Sequence, residues 1–177
     1  MSALDVIIGD QESIDLSGSD IKEITNNGAR VLSYHELVNF STLDEVLGET
    51  QAIILLYETK ENFGHWVTVF KINDNTIEFF DPYGLQMDDE LNYATYNNQP
   101  TLTNLVNAAG YKVVSNSKKL QTFKHEVNTC GRWASLRIKF RDTPLREFQT
   151  MFGNNKHYNA DFWVSALTYL YTYNKSQ

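Results

Sequence analysis

Nothing limits the fold of this chain more than the stretch between residues 52 and 80. Ala52–Tyr57 is an unbroken apolar run of strand length, which marks a strand buried on both faces. His65–Ile72 follows, rich in β-branched and aromatic residues, and then Thr76–Phe80 with the same character. Asn73, Asp74 and Asn75 between the last two are turn formers, so these strands read as a hairpin.

Helical signals lie on either side. Thr42 or Ser41 caps a short helix that carries Asp44 and Glu45 in its first turn and exits at Gly48. Pro100–Ala109 places Leu102, Leu105 and Val106 on one face and stops at Gly110, and Lys112–Val114 follows as a short strand. From Gly131 to Phe140, Trp133, Leu136 and Phe140 recur at helical spacing. A last helix from about Asn159 carries Phe162, Ala166, Tyr169, Leu170 and Tyr173 on one side. Ser13–Leu32 is polar and weakly patterned and reads as an extended arm with short turns. Strands in the middle and helices at the end predict one α+β domain: residues 1–45 as arm and first helix, 50–142 as core, 143–177 as C-terminal helices.

The formal charge of −7 argues against a broad nucleic-acid-binding face. One basic cluster, Lys118, Lys119, Lys124, Arg132, Arg137, Lys139 and Arg141, reads as the solvated side of a loop and helix. The N-terminus lacks the pattern of a signal peptide, and no stretch has the length of a membrane span, so a soluble protein of a reducing compartment is expected. With one cysteine, no internal disulfide can form.

That cysteine, Cys130, stands in Asn128-Thr129-Cys130-Gly131 directly before a helix. A sulfur there meets the positive end of the helix dipole, and the unpaired N–H groups of the first turn can bind an oxyanion. Gly131 would leave room for a substrate backbone. Taken singly, Cys130 could be a small core residue, His65 an edge residue of its strand and Asp81 a turn starter before Pro82. Together they imply more. If Ile72 pairs with Thr76, Asp81 falls opposite Val67 and lies diagonal to His65 on one face, within reach of an imidazole. A shift by one residue would put them on opposite faces. His35, His125 and His157 have no comparable partners in sequence, and no zinc-ligand spacing, Walker loop or dinucleotide fingerprint occurs.

Gly64-His65-Trp66, Phe80-Asp81-Pro82-Tyr83-Gly84 and Cys130-Gly131, in that order and spacing, resemble the histidine, acid and nucleophile motifs of the adenain and SUMO-protease superfamily of cysteine peptidases. The likeness spans roughly residues 50–142. The small size and the Thr129-Cys130-Gly131-Arg132-Trp133 string are most similar to maturation proteases of virophages, Polinton-like elements and large DNA viruses. The resemblance implies an adenain-like, papain-like fold with a central mixed sheet and the nucleophile at a helix N-terminus. It implies a Cys130–His65–Asp81 triad, no metal or cofactor, and cleavage of virion or capsid precursors at Gly-rich sites in the virion or host cytoplasm. Gly64, Trp66 and Gly131 would contact substrate, Trp66 over a narrow channel or else simply in the core. The family's oxyanion glutamine falls six or seven residues before the cysteine, where this chain has Lys124 and Phe123. Gln121 is the nearest glutamine, with Asn128 as the other donor. A disulfide-linked activating peptide would consume the nucleophile, so any peptide activator would be held otherwise. A ubiquitin-like-protein deconjugase, an acyltransferase or a silent binding protein would use the same residues or fold.

Overall fold

The structure, a computed structural model, describes residues 2–94, 99–152 and 157–173. The N-terminal region departs from the expected extended arm. Helix α1 (Ala3–Glu12) and helix α2 (Gly18–Thr25) each begin at a capping box, Ser2 with Asp5 and Ser17 with Asp20. In each, the serine hydroxyl accepts the backbone N–H three residues on, and the aspartate returns the contact. Strand β1 (Arg30–Ser33) follows α2 directly, then a 3-10 turn and the expected short helix α3 (Leu43–Leu47), capped by Thr42.

Four more strands complete the sheet: β2 (Ala52–Lys60), β3 (Phe63–Asn73), β4 (Thr76–Phe80) and β5 (Lys112–Ser115). They lie in chain order, β1 parallel to β2, β5 parallel to β4, and the central pairs antiparallel. The molecule is thus α+β, with a mixed five-stranded sheet flanked by helices. Strand β2 reads as a solid apolar run because both faces are covered. Ile53, Leu55 and Tyr57 join one core with α3 and helix α4 (Thr101–Ala109). Ala52, Ile54 and Leu56 join a second core with α2 and helix α5 (Cys130–Lys139). Each fully buried leucine or isoleucine contributes about 1.5–3 kcal/mol of transfer free energy.

The β3–β4 hairpin reaches the expected register by a different route. Thr68 pairs with Phe80 and Lys71 with Ile77, but Asn73, not Ile72, faces Thr76. The turn is therefore two residues long, and Ile72 is extruded as a bulge that restores the pairing.

Two further readings change. Arg132 and Arg137 are not on a solvated face; each is 1% exposed. Arg137 grips Glu78 of β4 with Nε–Oε1 at 2.6 Å and Nη2–Oε2 at 2.9 Å, and also donates to the carbonyls of Phe140 and Thr143. Arg132 donates to Thr168 and Gln11, and its burial pulls its pKa down to about 10. Helix α6 (Leu145–Met151) and helix α7 (Ala160–Tyr173) close the chain. The inward face of α7 is Asp161, Val164, Ser165 and Thr168, while Phe162, Ala166 and Tyr169 are half-buried and Leu170 is exposed; the side chain of Tyr173 lies outside the described residues. Thr168 and Asp161 turn inward because they have partners there, Arg132 for Thr168 and Thr129, Trp133 and Thr122 for Asp161, whereas Ser165 Oγ has no partner among the described residues.

Candidate active site

The bulge-corrected register brings His65 and Asp81 together at the end of the sheet. His65 Nε2 lies 2.8 Å from Asp81 Oδ1. The carboxylate is held in turn. Its oxygen accepts the N–H of Tyr83 at 2.7 Å, in a turn that closes with Gly84 N–H donating to the Asp81 carbonyl. Asn116, just past β5, clamps the Asp81 backbone from both sides, its Oδ1 accepting the N–H and its Nδ2 donating to the carbonyl. Asn116 carries no motif, and only the parallel docking of β5 on β4 reveals its role. Gly84 takes φ +74, and a Cβ there would press on the backbone of residues 117–119.

His65 is buried and stacks on Tyr83, ring centroids 4.5 Å apart and nearly parallel. Burial works against the imidazolium, yet the bond to Asp81 and the nearby Cys130 and Asp81 groups outweigh it, and the His65 pKa stands well above its ordinary value. Nε2 is committed to Asp81, which leaves Nδ1 as the other ring nitrogen of His65. Cys130 is the first residue of α5. Its cap, Thr129, is fixed by the fully buried Asp161, whose Oδ1 accepts from Thr129 Oγ1 at 2.5 Å and Trp133 Nε1 at 3.0 Å. Asp161 went unnoticed in the sequence because nothing links it to residue 129 before the fold is known.

Cys130, His65, Gly64, Gln121 and Asn128 all line one cleft of about 440 Å³ with Tyr83, Glu90 and Asp15. Its outer walls are aromatic, with Phe63, Tyr93 and Phe123 well exposed. Gln121 is buried, with Nε2 donating to Val127 O at 3.2 Å and Tyr83 Oη at 3.1 Å, while Oε1 has no partner among the described residues. Asn128 instead turns its Nδ2 to the Ser13 carbonyl. Gly64 is required by the hairpin, since a Cβ would fall 1.9 Å from the Tyr57 carbonyl oxygen.

Trp66 and Gly131 take other places than substrate contact. Trp66 points to the opposite face from His65, packs in the α2–α5 core and donates Nε1–H to the Leu16 carbonyl. Gly131 is small for the same core, because a Cβ would meet Leu16 and Trp66 at 3.1–3.2 Å. Trp66 therefore does not line the cleft, and of its two expected places it takes the core. His35 pairs with Glu58 at 2.6 Å beside a separate cavity, and His125 and His157 are exposed. His65, Asp81 and Glu90 each present a ligand atom within 4.8 Å of the others, although the imidazole and Asp81 already bind each other. Among the described residues no helix is long and apolar enough to cross a membrane.

No protein-family model matches the chain. The central domain of the uncharacterized Lpg1148 protein from Legionella pneumophila aligns over 89% of the chain and 98% of its own length, at 14% identity and a TM-score of 0.46. That likeness is too distant to inform the site. The uncharacterized protein V9 of Sputnik virophage is 38% identical over 145 residues, which cover 78% of this chain and 83% of that protein. At that identity and coverage, the chain belongs to the family of the virophage protein V9.

Proposed function

We propose that the chain is a cysteine endopeptidase that matures virion precursor proteins, with Cys130 as nucleophile, His65 as base and Asp81 as the group that orients the imidazole. One observation carries the reading: a buried imidazole bonded to a carboxylate at 2.8 Å lines one cleft with the only thiol of the chain, which stands at a helix N-terminus. The virophage relative supports a viral setting.

In this mechanism His65 Nδ1 takes the proton of Cys130 Sγ, and the thiolate attacks the scissile carbonyl carbon. The oxyanion lies against the Cys130 N–H and the Gln121 Nε2–H that otherwise faces Tyr83 Oη. His65 gives its proton to the leaving amine, the amine departs, and a thioester remains. Water then attacks the thioester with His65 as base, releasing the carboxylic acid and restoring the thiol. Asp81 keeps the tautomer that directs Nδ1 at sulfur and stabilises the imidazolium.

The test couples alkylation with turnover. Iodoacetamide should label Cys130 faster in wild type than in His65→Ala at neutral pH, and Cys130→Ala should abolish cleavage of virion precursor protein while preserving the fold. Equal labelling in wild type and His65→Ala, or undiminished cleavage by Cys130→Ala, would remove the scheme.

A further inference from the structure

A second carboxyl group stands on the same side of the base. Glu90 Oε1 lies 3.7 Å from His65 Nε2, the nitrogen that bonds Asp81 at 2.8 Å. Glu90 is 7% exposed and faces the cleft from a 3-10 turn, Asp89–Asn92.

Its position is built. Asp88, directly before the turn, adopts a left-handed φ of 66° that a non-glycine residue takes only with compensation. The compensation is four hydrogen bonds to its carboxylate, from Tyr34 Oη at 2.9 Å, Tyr57 Oη at 2.8 Å, Thr103 N at 2.9 Å and Thr103 Oγ1 at 2.6 Å. Asp89 then caps the approach by accepting the Gln86 N–H. Side chains from three elements thus fix a turn that delivers one acid to the imidazole.

Asp81 leaves something for that acid to complete. Its Oδ2 is buried and has no hydrogen-bond partner among the described residues, and its Oδ1 already serves two donors. The groups that face Glu90 are His65, Asp81, Tyr83 and its own neighbour Asp89. A neutral Glu90 can offer its O–H to a carboxylate, and an ionised one adds negative charge beside the imidazolium.

We propose that Glu90 is a positioning residue for His65, a second carboxyl that shares the Nε2 side of the ring with Asp81 and sets how firmly the imidazole holds its proton. The proposal rests on the cysteine-peptidase reading for its purpose, but its physical content is independent of turnover.

The experiment is the NMR titration of the His65 imidazole in the full chain, in wild type and Glu90→Gln, beside Cys130 alkylation in wild type and His65→Ala. Glu90→Gln should lower the midpoint of His65 deprotonation by about one pH unit, equivalent to about tenfold in proton affinity. Should that variant not fold, Glu90→Asp should give a smaller shift in the same direction. An unmoved midpoint in a folded variant overturns the role of Glu90, even where His65→Ala slows alkylation. Alkylation indifferent to His65→Ala overturns the peptidase reading instead and leaves the titration result standing.

Discussion

His65 and Asp81 sit diagonally across β3 and β4, just beyond the Thr68–Phe80 pair, and their side chains meet at 2.8 Å. The carboxylate therefore acts on Nε2 and leaves the other ring nitrogen for the thiol of the proposed mechanism. Asp81→Ala removes orientation but spares nucleophile and base. Its hydrolysis rate should fall by about two to four orders of magnitude yet stay above that of Cys130→Ala, as single-turnover assays would show.

The hairpin gives a prediction about length. Ile72 is the extra residue that reconciles a two-residue turn with the register needed at Asp81, and it is half exposed. Deleting Ile72 should regularise the ladder without slipping it. Stability should change by no more than about 1 kcal/mol in urea denaturation, and the His65–Asp81 contact should persist in the imidazole NMR signals.

Gly64 pairs with Glu58, where β2 leaves regular register. A methyl group there cannot coexist with the Tyr57 carbonyl oxygen, so the strands must part. Gly64→Ala should cost about 3 kcal/mol or more in chemical denaturation, and the surviving folded protein should lose the His65-dependent labelling of Cys130.

Arg137 and Glu78 form a two-pronged buried pair beneath α5. Arg137→Met alone strands a buried carboxylate and should cost about 3–5 kcal/mol, whereas Arg137→Met combined with Glu78→Leu should recover most of that loss. Denaturation of the two single variants and the double variant completes the cycle.

Glu90 links stability to pH. Burial holds its carboxyl above the ordinary range; His65 opposes this, and Asp81 and Asp89 add to it. A raised carboxyl favours the folded state most below its unfolded value of about 4.5, and the benefit fades as pH rises through the folded value. Glu90→Gln should therefore melt higher than wild type at pH 8 and not at pH 4, which thermal scans at the two pH values would test.

The sheet centre was legible because its period and turn residues are local: β4, α3 and α4 begin and end within a residue or two of expectation. His65 and Asp81 could be paired in advance only on the assumption that Ile72 faces Thr76; the two-residue turn alone would part them, and the Ile72 bulge that restores the register has no local signal. The N-terminal helices were missed although Ser17 and Asp20 spell a capping box, because α2 is short and its apolar residues are few. Arg132 and Arg137 looked solvated because their partners, Gln11, Thr168 and Glu78, come from remote segments. Asp161, Asn116 and Glu90 were silent for the same reason.

Consider how the thiol's helix is moored. Asn128 holds Glu12 and Ser13 through its backbone N–H and side chain, Arg132 spans Gln11 and Thr168, and Asp161 grips Thr129. During synthesis the first helices must wait for residues made more than a hundred positions later, and the cap of the thiol's helix waits for α7. Contacts between such distant segments raise the contact order, which slows folding. A half-made chain on the ribosome thus has neither Cys130 nor α7, and the cleft it will form still lacks one wall.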